Sequence, residues 1–224
     1  MTEMKIDLDF AKNFLLGHDD FNIFLHASPD GDTVGSGFAL CRALRSIGKK
    51  ANVLCSDDIP KSYSFITDGY EPQNFEAKTF VSVDVADAKL LGKYEDMGEK
   101  IDLSVDHHGL NREFAKHTFV DSSAAANCEN ILKLLKVMDI KIDSYIAACI
   151  YTGISTDTGC FKYSNTNAAS FRAAAELMRL GADNAGINMR FFRKASPARI
   201  KLEGLIYISM SYYRYGKIAV AEIT

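Results

Sequence analysis

Between Phe21 and Cys55 an apolar run, a loop, an amphipathic stretch and a second apolar run follow one another within about 35 residues. Phe21 to His26 reads as a strand. Val34, Phe38, Cys41, Leu44 and Ile47 then recur at three- and four-residue steps, the spacing of one buried helix face, and Gly48 marks the stop. Ala51 to Cys55 reads as the second strand. A strand, a helix and a strand this close in sequence are the signature of two parallel strands joined by a right-handed crossover. This unit predicts an α/β fold, a Rossmann-like mostly parallel sheet flanked by helices.

The rest of the chain extends that plan. Ile6, Phe10, Phe14 and Leu15, closed by Gly17, predict a short leading helix within residues 5–17. The turn-rich aromatic stretch from Pro60 to Asn74 has no period to assign. Thr79 to Asp84 predicts a strand ending on a carboxylate, followed by an Ala/Lys/Leu helix to Gly92. Ile101 to Val105 alternates apolar with polar residues and runs into Asp106-His107-His108-Gly109, and Phe119-Val120 predicts one more short strand. Ser122-Ser123 predicts the cap of a helix through Ala124, Ile131, Leu134, Leu135 and Met138. Asp143 starts a buried helix from Tyr145 to Ile154, and a further helix runs from about Ala168 to Leu180. Residues 183–195 read as a connector. Pro197 opens a last helix with Ile200, Leu202, Leu205, Ile206 and Met210, and Tyr215-Gly216-Lys217 turns into a closing strand, Ile218 to Ile223.

Composition narrows the function classes. A net charge of -3 gives no polybasic surface, so long duplex nucleic acid is not an expected partner, whereas small or short anionic substrates are. Five scattered cysteines without a C-x-x-C pair point to reduced thiols and a cytoplasmic setting. No apolar run approaches a membrane span, and no membrane partner is expected.

Three predicted strands end in acid or imidazole groups, which the rule for open α/β sheets places at one edge, where ligands bind. The candidates are His26, Asp30 and Asp32 around the turn formers Pro29 and Gly31, then Asp84, then Asp106, His107 and His108, with Asp157 from a helix terminus. Each has a bland reading: a lone Asp-Gly-Asp is a turn, Asp84 a strand-end cap, and His107-His108 one buried and one solvated ring. Their convergence favours metal. The inventory exceeds what one octahedral ion takes from protein, and two ions sharing a carboxylate fit it better. Carboxylates favour Mn²⁺ or Mg²⁺, imidazoles tilt the choice to Mn²⁺, and zinc stays open. Such a pair, about 3.5 to 4 Å apart, suits phosphoester hydrolysis. Asp121, Asp143, His18 and His117 read as surface or capping groups, Cys41 and Cys149 as core, and Gly35-Ser36-Gly37 as close helix packing. Phe161 and Tyr163 read either as base-stacking or as core rings.

In order and spacing these stretches resemble the DHH family of phosphoesterases over about residues 20 to 185. His26-Ala-Ser-Pro-Asp-Gly-Asp is similar to its first motif, Val83-Asp84 to its second, Val105-Asp106-His107-His108 to its third and Gly153 to Gly159 to its fourth. The continuation Phe161 to Thr166 resembles the oligoribonuclease and 3′,5′-bisphosphonucleotide phosphatase branch. The resemblance implies that His26, Asp30 and Asp84 hold one metal and Asp32, Asp84, His107 and Asp157 the other, with Asp84 as bridge. It implies that His108 faces the substrate as phosphate contact or general acid and that Asp106 orients the histidines.

The expected activity is therefore Mn²⁺-dependent hydrolysis of short single-stranded oligoribonucleotides or 3′,5′-bisphosphonucleotides. A manganese inorganic pyrophosphatase and a cyclic-dinucleotide phosphodiesterase are the alternatives within that chemistry, and an inert nucleotide- or metal-binding module is the alternative outside it. The expected organisation is a catalytic domain over residues 1–185, a linker and connecting helix over 186–215, and over 216–224 the first strand of a smaller substrate-binding domain, of which the resemblance implies most is missing. An apolar edge at Ile218, Val220 and Ile223 leaves room for a homodimer.

Overall fold

The computed structural model describes residues 4–222. The chain divides into two compact units, one ending at Asn188 and the other beginning at Met189. The first is built on six strands: β1 (Met4–Lys5), β2 (Phe21–Phe24), β3 (Ala51–Leu54), β4 (Thr79–Val83), β5 (Leu103–Asp106) and β6 (His117–Val120). They lie in the order β1-β6-β5-β4-β2-β3, and every pairing among these six strands is parallel. From β2 the chain first adds a neighbour on one side, β3, and then on the other, β4. The strand order thus reverses at β2 and β4, and the crevice outside their carboxyl ends is where such a sheet binds ligands.

The helices of this unit are α1 (Leu8–Gly17), α2 (Gly31–Ser46), α3 (Ser64–Thr67), α4 (Asn127–Val137), α5 (Ser144–Asp157) and α6 (Ala168–Arg179), with α7 (Asn184–Phe192) spanning the unit boundary. Helices α2, α4 and α5 pack on one another. Glycine lets two of them meet at the backbone. A Cβ on Gly35 would stand 2.4 Å from the Cys149 carbonyl oxygen, and one on Gly153 would stand 2.7 Å from Asp32 Oδ1. Residue 35 beside 149 and residue 32 beside 153 mean that α2 and α5 run in opposite senses, so the first turn of α2 meets the last turn of α5. The packing role expected for Gly35-Ser36-Gly37 is what the structure shows. On one face of the sheet Phe24 and Phe80 pack with Val85, Leu91, Ile101 and Ala115, covered by Tyr94 and Met97.

Several elements differ from the sequence reading. The helix expected to reach Gly92 is a 3-10 segment, Ala88–Lys100, broken at Gly92 (φ 60°, ψ -123°), where a Cβ would meet Ser56 Oγ at 2.4 Å. The cap of α4 is not Ser122-Ser123: its N-cap is Ala126, with no side-chain bond of its own, and Ser123 bonds to Asp121 instead. The expected connector at 183–195 contains α7, which begins where Asp183 accepts from Gly186 N and buries Ile187. His117, expected at the surface, opens β6 and lies against Phe10 with ring centroids 4.7 Å apart. Asp143 does cap α5, accepting from Ile146 N at 2.8 Å, and Cys41 and Cys149 are buried.

The second unit contains α8 (Pro197–Ser209), β7 (Ser211–Tyr213) and β8 (Ile218–Val220). Ser196 caps α8 by accepting from Arg199 N, with Pro197 in the first turn. The closing strand is half of an antiparallel hairpin, β7 with β8, turned through Arg214, Tyr215 and Gly216 at positive φ. Ile223, the last residue expected in that strand, lies outside the described residues. No residue of α8 is buried. Among the described residues no helix is long and apolar enough to cross a membrane.

Candidate metal centre

The eight candidate acids and imidazoles, His26, Asp30, Asp32, Asp84, Asp106, His107, His108 and Asp157, come to the carboxyl edge of the sheet. Past β2, Leu25 N still bonds the Leu54 carbonyl at 2.9 Å, and His26 is the first side chain free to turn over the edge. Its Nδ1 donates to the Ala27 carbonyl at 2.7 Å. A carbonyl only accepts, so Nδ1 carries the proton and Nε2 is presented to the cluster, the arrangement that metal-binding histidines use. Asp30 is the N-cap of α2: its Oδ1 accepts from Asp32 N at 2.9 Å and Thr33 N at 3.1 Å. The Thr33 hydroxyl donates to the Val83 carbonyl at 3.2 Å, tying this helix start to the end of β4.

Asp32 is 1 % exposed and accepts from Asn127 N at 2.5 Å and Cys128 N at 2.8 Å. It caps the buried start of α4 from another helix, which is why α4 needs no serine cap. Asp84, 3 % exposed, follows β4 with φ 59°, a left-handed backbone that costs a residue with a Cβ of order 1–3 kcal/mol. Its Oδ1 is buried with no hydrogen-bond partner. His107 Nδ1 donates to the Ala124 carbonyl at 3.2 Å, again turning Nε2 inward. Asp157 is the last residue of α5 and arrives through the α2–α5 contact.

The candidate ligand atoms face one another at a common spacing. His26 Nε2 is 3.5 Å from Asp30 Oδ1 and 3.7 Å from Asp84 Oδ2. His107 Nε2 is 3.7 Å from Asp32 Oδ2, 3.6 Å from Asp84 Oδ1 and 3.7 Å from Asp157 Oδ2. Ligands about 2.1 Å from a common ion stand about 3.0 Å apart at 90° and about 3.6 Å apart at 120°. The groups His26-Asp30-Asp84, Asp32-His107-Asp157 and Asp84-His107-His108 each bring ligand atoms close enough to hold a metal ion. The donor set and the orphaned Asp84 oxygen fit such ions.

His108 differs from His107. Its Nδ1 lies 3.6 Å from Asp84 Oδ1 but is bonded to Asp106 Oδ1 at 2.8 Å, and its side chain is 49 % exposed. Asp106, fully buried, also accepts from His107 N at 2.8 Å and from Asn111 Nδ2 at 2.6 Å. Asn111 was not singled out from the sequence: it lies in a loop without period, and its partners are set only by the fold. The same holds for Thr33 and for the Asn127 and Cys128 amides.

Burial raises Asp84 well above the ordinary carboxylate range, and the neighbouring Asp32 adds to it. Asp32 is raised by its own burial. Asp157 is pushed up to about 7, by burial first and then by Asp32. Burial works against a charge on His26, but the facing carboxylates of Asp30 and Asp84 outweigh it and raise the ring to about 11. His108 is raised to about 9, chiefly by its bond to Asp106. Burial works against ionising Asp106 too, yet its bonds to His108 and Asn111 hold it below the usual range. A nest of carboxylates that resists ionisation is one in which added positive charge is favourable.

Residues 20–154 match the model of the DHH family, N-terminal domain. The chain is 31% identical over 208 residues to the bifunctional oligoribonuclease and PAP phosphatase NrnA of Thermus thermophilus, covering 90% of this chain and 62% of that protein. It is 23% identical over 177 residues to a probable manganese-dependent inorganic pyrophosphatase of Streptococcus thermophilus, covering 75% of this chain and 56% of that one. The chain thus spans about three-fifths of the length of these relatives. The crystal structure of an exopolyphosphatase-related protein from Bacteroides fragilis superposes with a TM-score of 0.83 at 25% identity, over 92% of this chain and 66% of that one. With the family model matching well over half of its length, the chain belongs to the DHH family.

Proposed function

We propose that the chain is a metal-dependent phosphoesterase that uses two divalent cations, Mn²⁺ by preference, on short oligoribonucleotides or 3′,5′-bisphosphonucleotides. The observation that carries this is the gathering of six candidate ligands from four separate stretches of chain at the sheet's switch point, five of them around the buried Asp84, whose Oδ1 has no hydrogen-bond partner. His26, Asp30 and Asp84 would hold one cation, and Asp32, His107 and Asp157, with Asp84 between, the other. When bound, such a pair polarises a phosphoryl oxygen and lowers the pKa of a water.

The chain's own groups supply the rest. Asp106 fixes the His108 ring through Nδ1 and leaves Nε2 toward the open side, where it contacts a substrate phosphate or gives a proton to the leaving oxygen. Asp84, held in a strained backbone, is positioned before any ligand arrives. Support for the nucleotide substrate comes from relatives named as oligoribonucleases and PAP phosphatases, and the pyrophosphatase relative keeps diphosphate as the competing substrate.

A panel of a diribonucleotide, a 3′,5′-bisphosphonucleotide, a cyclic dinucleotide and inorganic pyrophosphate, each with Mn²⁺, with Mg²⁺ and with chelator, tests this reading. Turnover is expected on the first two with Mn²⁺ and none with chelator. Turnover of pyrophosphate alone would overturn the substrate assignment, and hydrolysis that persists in chelator would overturn the metal mechanism.

A further inference from the structure

Just beyond Asp157 the chain makes a tight left-handed turn. Gly159, Cys160 and Phe161 have φ of 57°, 58° and 62°, and for Cys160 and Phe161 this backbone is strained. Thr158 holds it in place: its carbonyl accepts from Lys162 N at 2.9 Å and Tyr163 N at 3.0 Å, and its hydroxyl bonds Phe161 N at 3.0 Å. Asn165 Nδ2 ties the far end back, donating to the carbonyls of Asp157 at 3.1 Å and Ala125 at 3.0 Å.

The turn sends its two aromatic rings in different directions. Phe161 is half-buried and its ring lies against two others, with centroids 5.2 Å from the exposed Phe171 and 6.1 Å from the buried Tyr151. Tyr163 stays 61 % exposed. A Cβ built on Gly159 would stand 2.3 Å from Tyr163 Cζ and 2.5 and 2.6 Å from its two Cε atoms, so it would lie over the face of the ring, not at its edge. The ring is therefore backed by the Gly159 main chain, six residues from a candidate metal ligand, with its other side toward solvent. An exposed tyrosine alone is ordinary. One laid on a glycine by a strained, five-times-bonded turn beside the metal centre is pre-organised, and a flat aromatic face takes any nucleobase by stacking.

We infer that Tyr163 is a specificity-determining residue that stacks on the nucleobase adjoining the phosphate held at the metal centre, so that the site prefers nucleotides to base-free phosphoesters. This deepens the phosphoesterase reading and rests on it for the position of the phosphate.

Two measurements test it, one of them independent of turnover. The chain has no tryptophan, so quenching of 2-aminopurine riboside 5′-monophosphate, titrated with Mn²⁺ present, reports stacking without indole background. Wild type and Tyr163→Phe should quench and bind alike, while Tyr163→Ala and Tyr163→Leu, the latter keeping an apolar contact with Gly159, should bind about 10- to 100-fold more weakly. Gly159→Ala, whose methyl displaces the ring, should fall with them. In hydrolysis, Tyr163→Leu should lose at least tenfold more kcat/KM on a 3′,5′-bisphosphonucleotide than on the abasic ribose bisphosphate. Quenched binding without turnover in the wild type would leave the stacking assignment standing and sink the hydrolase reading. No binding by the wild type, binding by Tyr163→Leu equal to wild type, or equal losses on both substrates would overturn the assignment.

Discussion

The fold places two neighbouring histidines differently. His107 and His108 each spend Nδ1 on an acceptor, but His107 uses a backbone carbonyl and points Nε2 into the carboxylate cluster, whereas His108 uses the Asp106 carboxylate and keeps half its side chain in the open. Asp84→Ala should therefore abolish binding of both cations, because it removes the one carboxylate that both groups of ligands approach. His108→Ala should keep metal content near wild type and slow hydrolysis by about two to four orders of magnitude. Metal analysis of the two purified variants beside a steady-state assay checks this pair, and comparable metal loss in both would reverse the roles. At this scale the candidate cluster was readable because chemistry-bearing residues stood out at strand ends. Asn111, Thr33 and the Asn127 and Cys128 amides were not, since a loop asparagine or a backbone N–H carries no sequence signal of its own.

Among the elements, the α2–α5 contact positions the second group of candidate ligands. Asp32 rides on α2 and Asp157 on α5, and they meet because glycines let the helices touch at the backbone. A methyl at position 153 would sit 2.2 Å from Cys128 Sγ and 2.7 Å from Asp32 Oδ1. Gly153→Ala should therefore destabilise the chain by about 1–3 kcal/mol and weaken metal binding as well. Urea melts with and without Mn²⁺ measure both effects, and a variant with wild-type midpoint and metal affinity would show the contact to be slack. The same geometry explains what the sequence hid. The start of α4 was misplaced at Ser122-Ser123 because its cap, Asp32, lies 95 residues away in the chain. The two-residue β1 and three-residue β7 are too short for a period to show. The long apolar strands and helices were legible because burial on both sheet faces leaves a strong pattern.

In the molecule as a whole, the fold concentrates negative charge where burial resists it, and metal should relieve that. The folded-state pKa of Asp157 stands raised to about 7 from an ordinary 3.8. Without metal, its contribution to stability is full below the unfolded value and is lost as the pH climbs through about 7. A cation binds the ionised form, so the rise in Tm on adding Mn²⁺ should be larger at about pH 8 than at about pH 6. Thermal melts in chelator and in Mn²⁺ at the two pH values test the sign, and an equal shift at both would contradict it. The central claim, that six ligands at the reversal of strand order make two cation sites around one carboxylate, is tested most directly by anomalous scattering from crystals of this chain soaked in Mn²⁺. The account predicts two strong peaks on either side of Asp84, one against His26 and Asp30 and the other against Asp32, His107 and Asp157. A single peak at saturating Mn²⁺, or peaks away from Asp84, would contradict it.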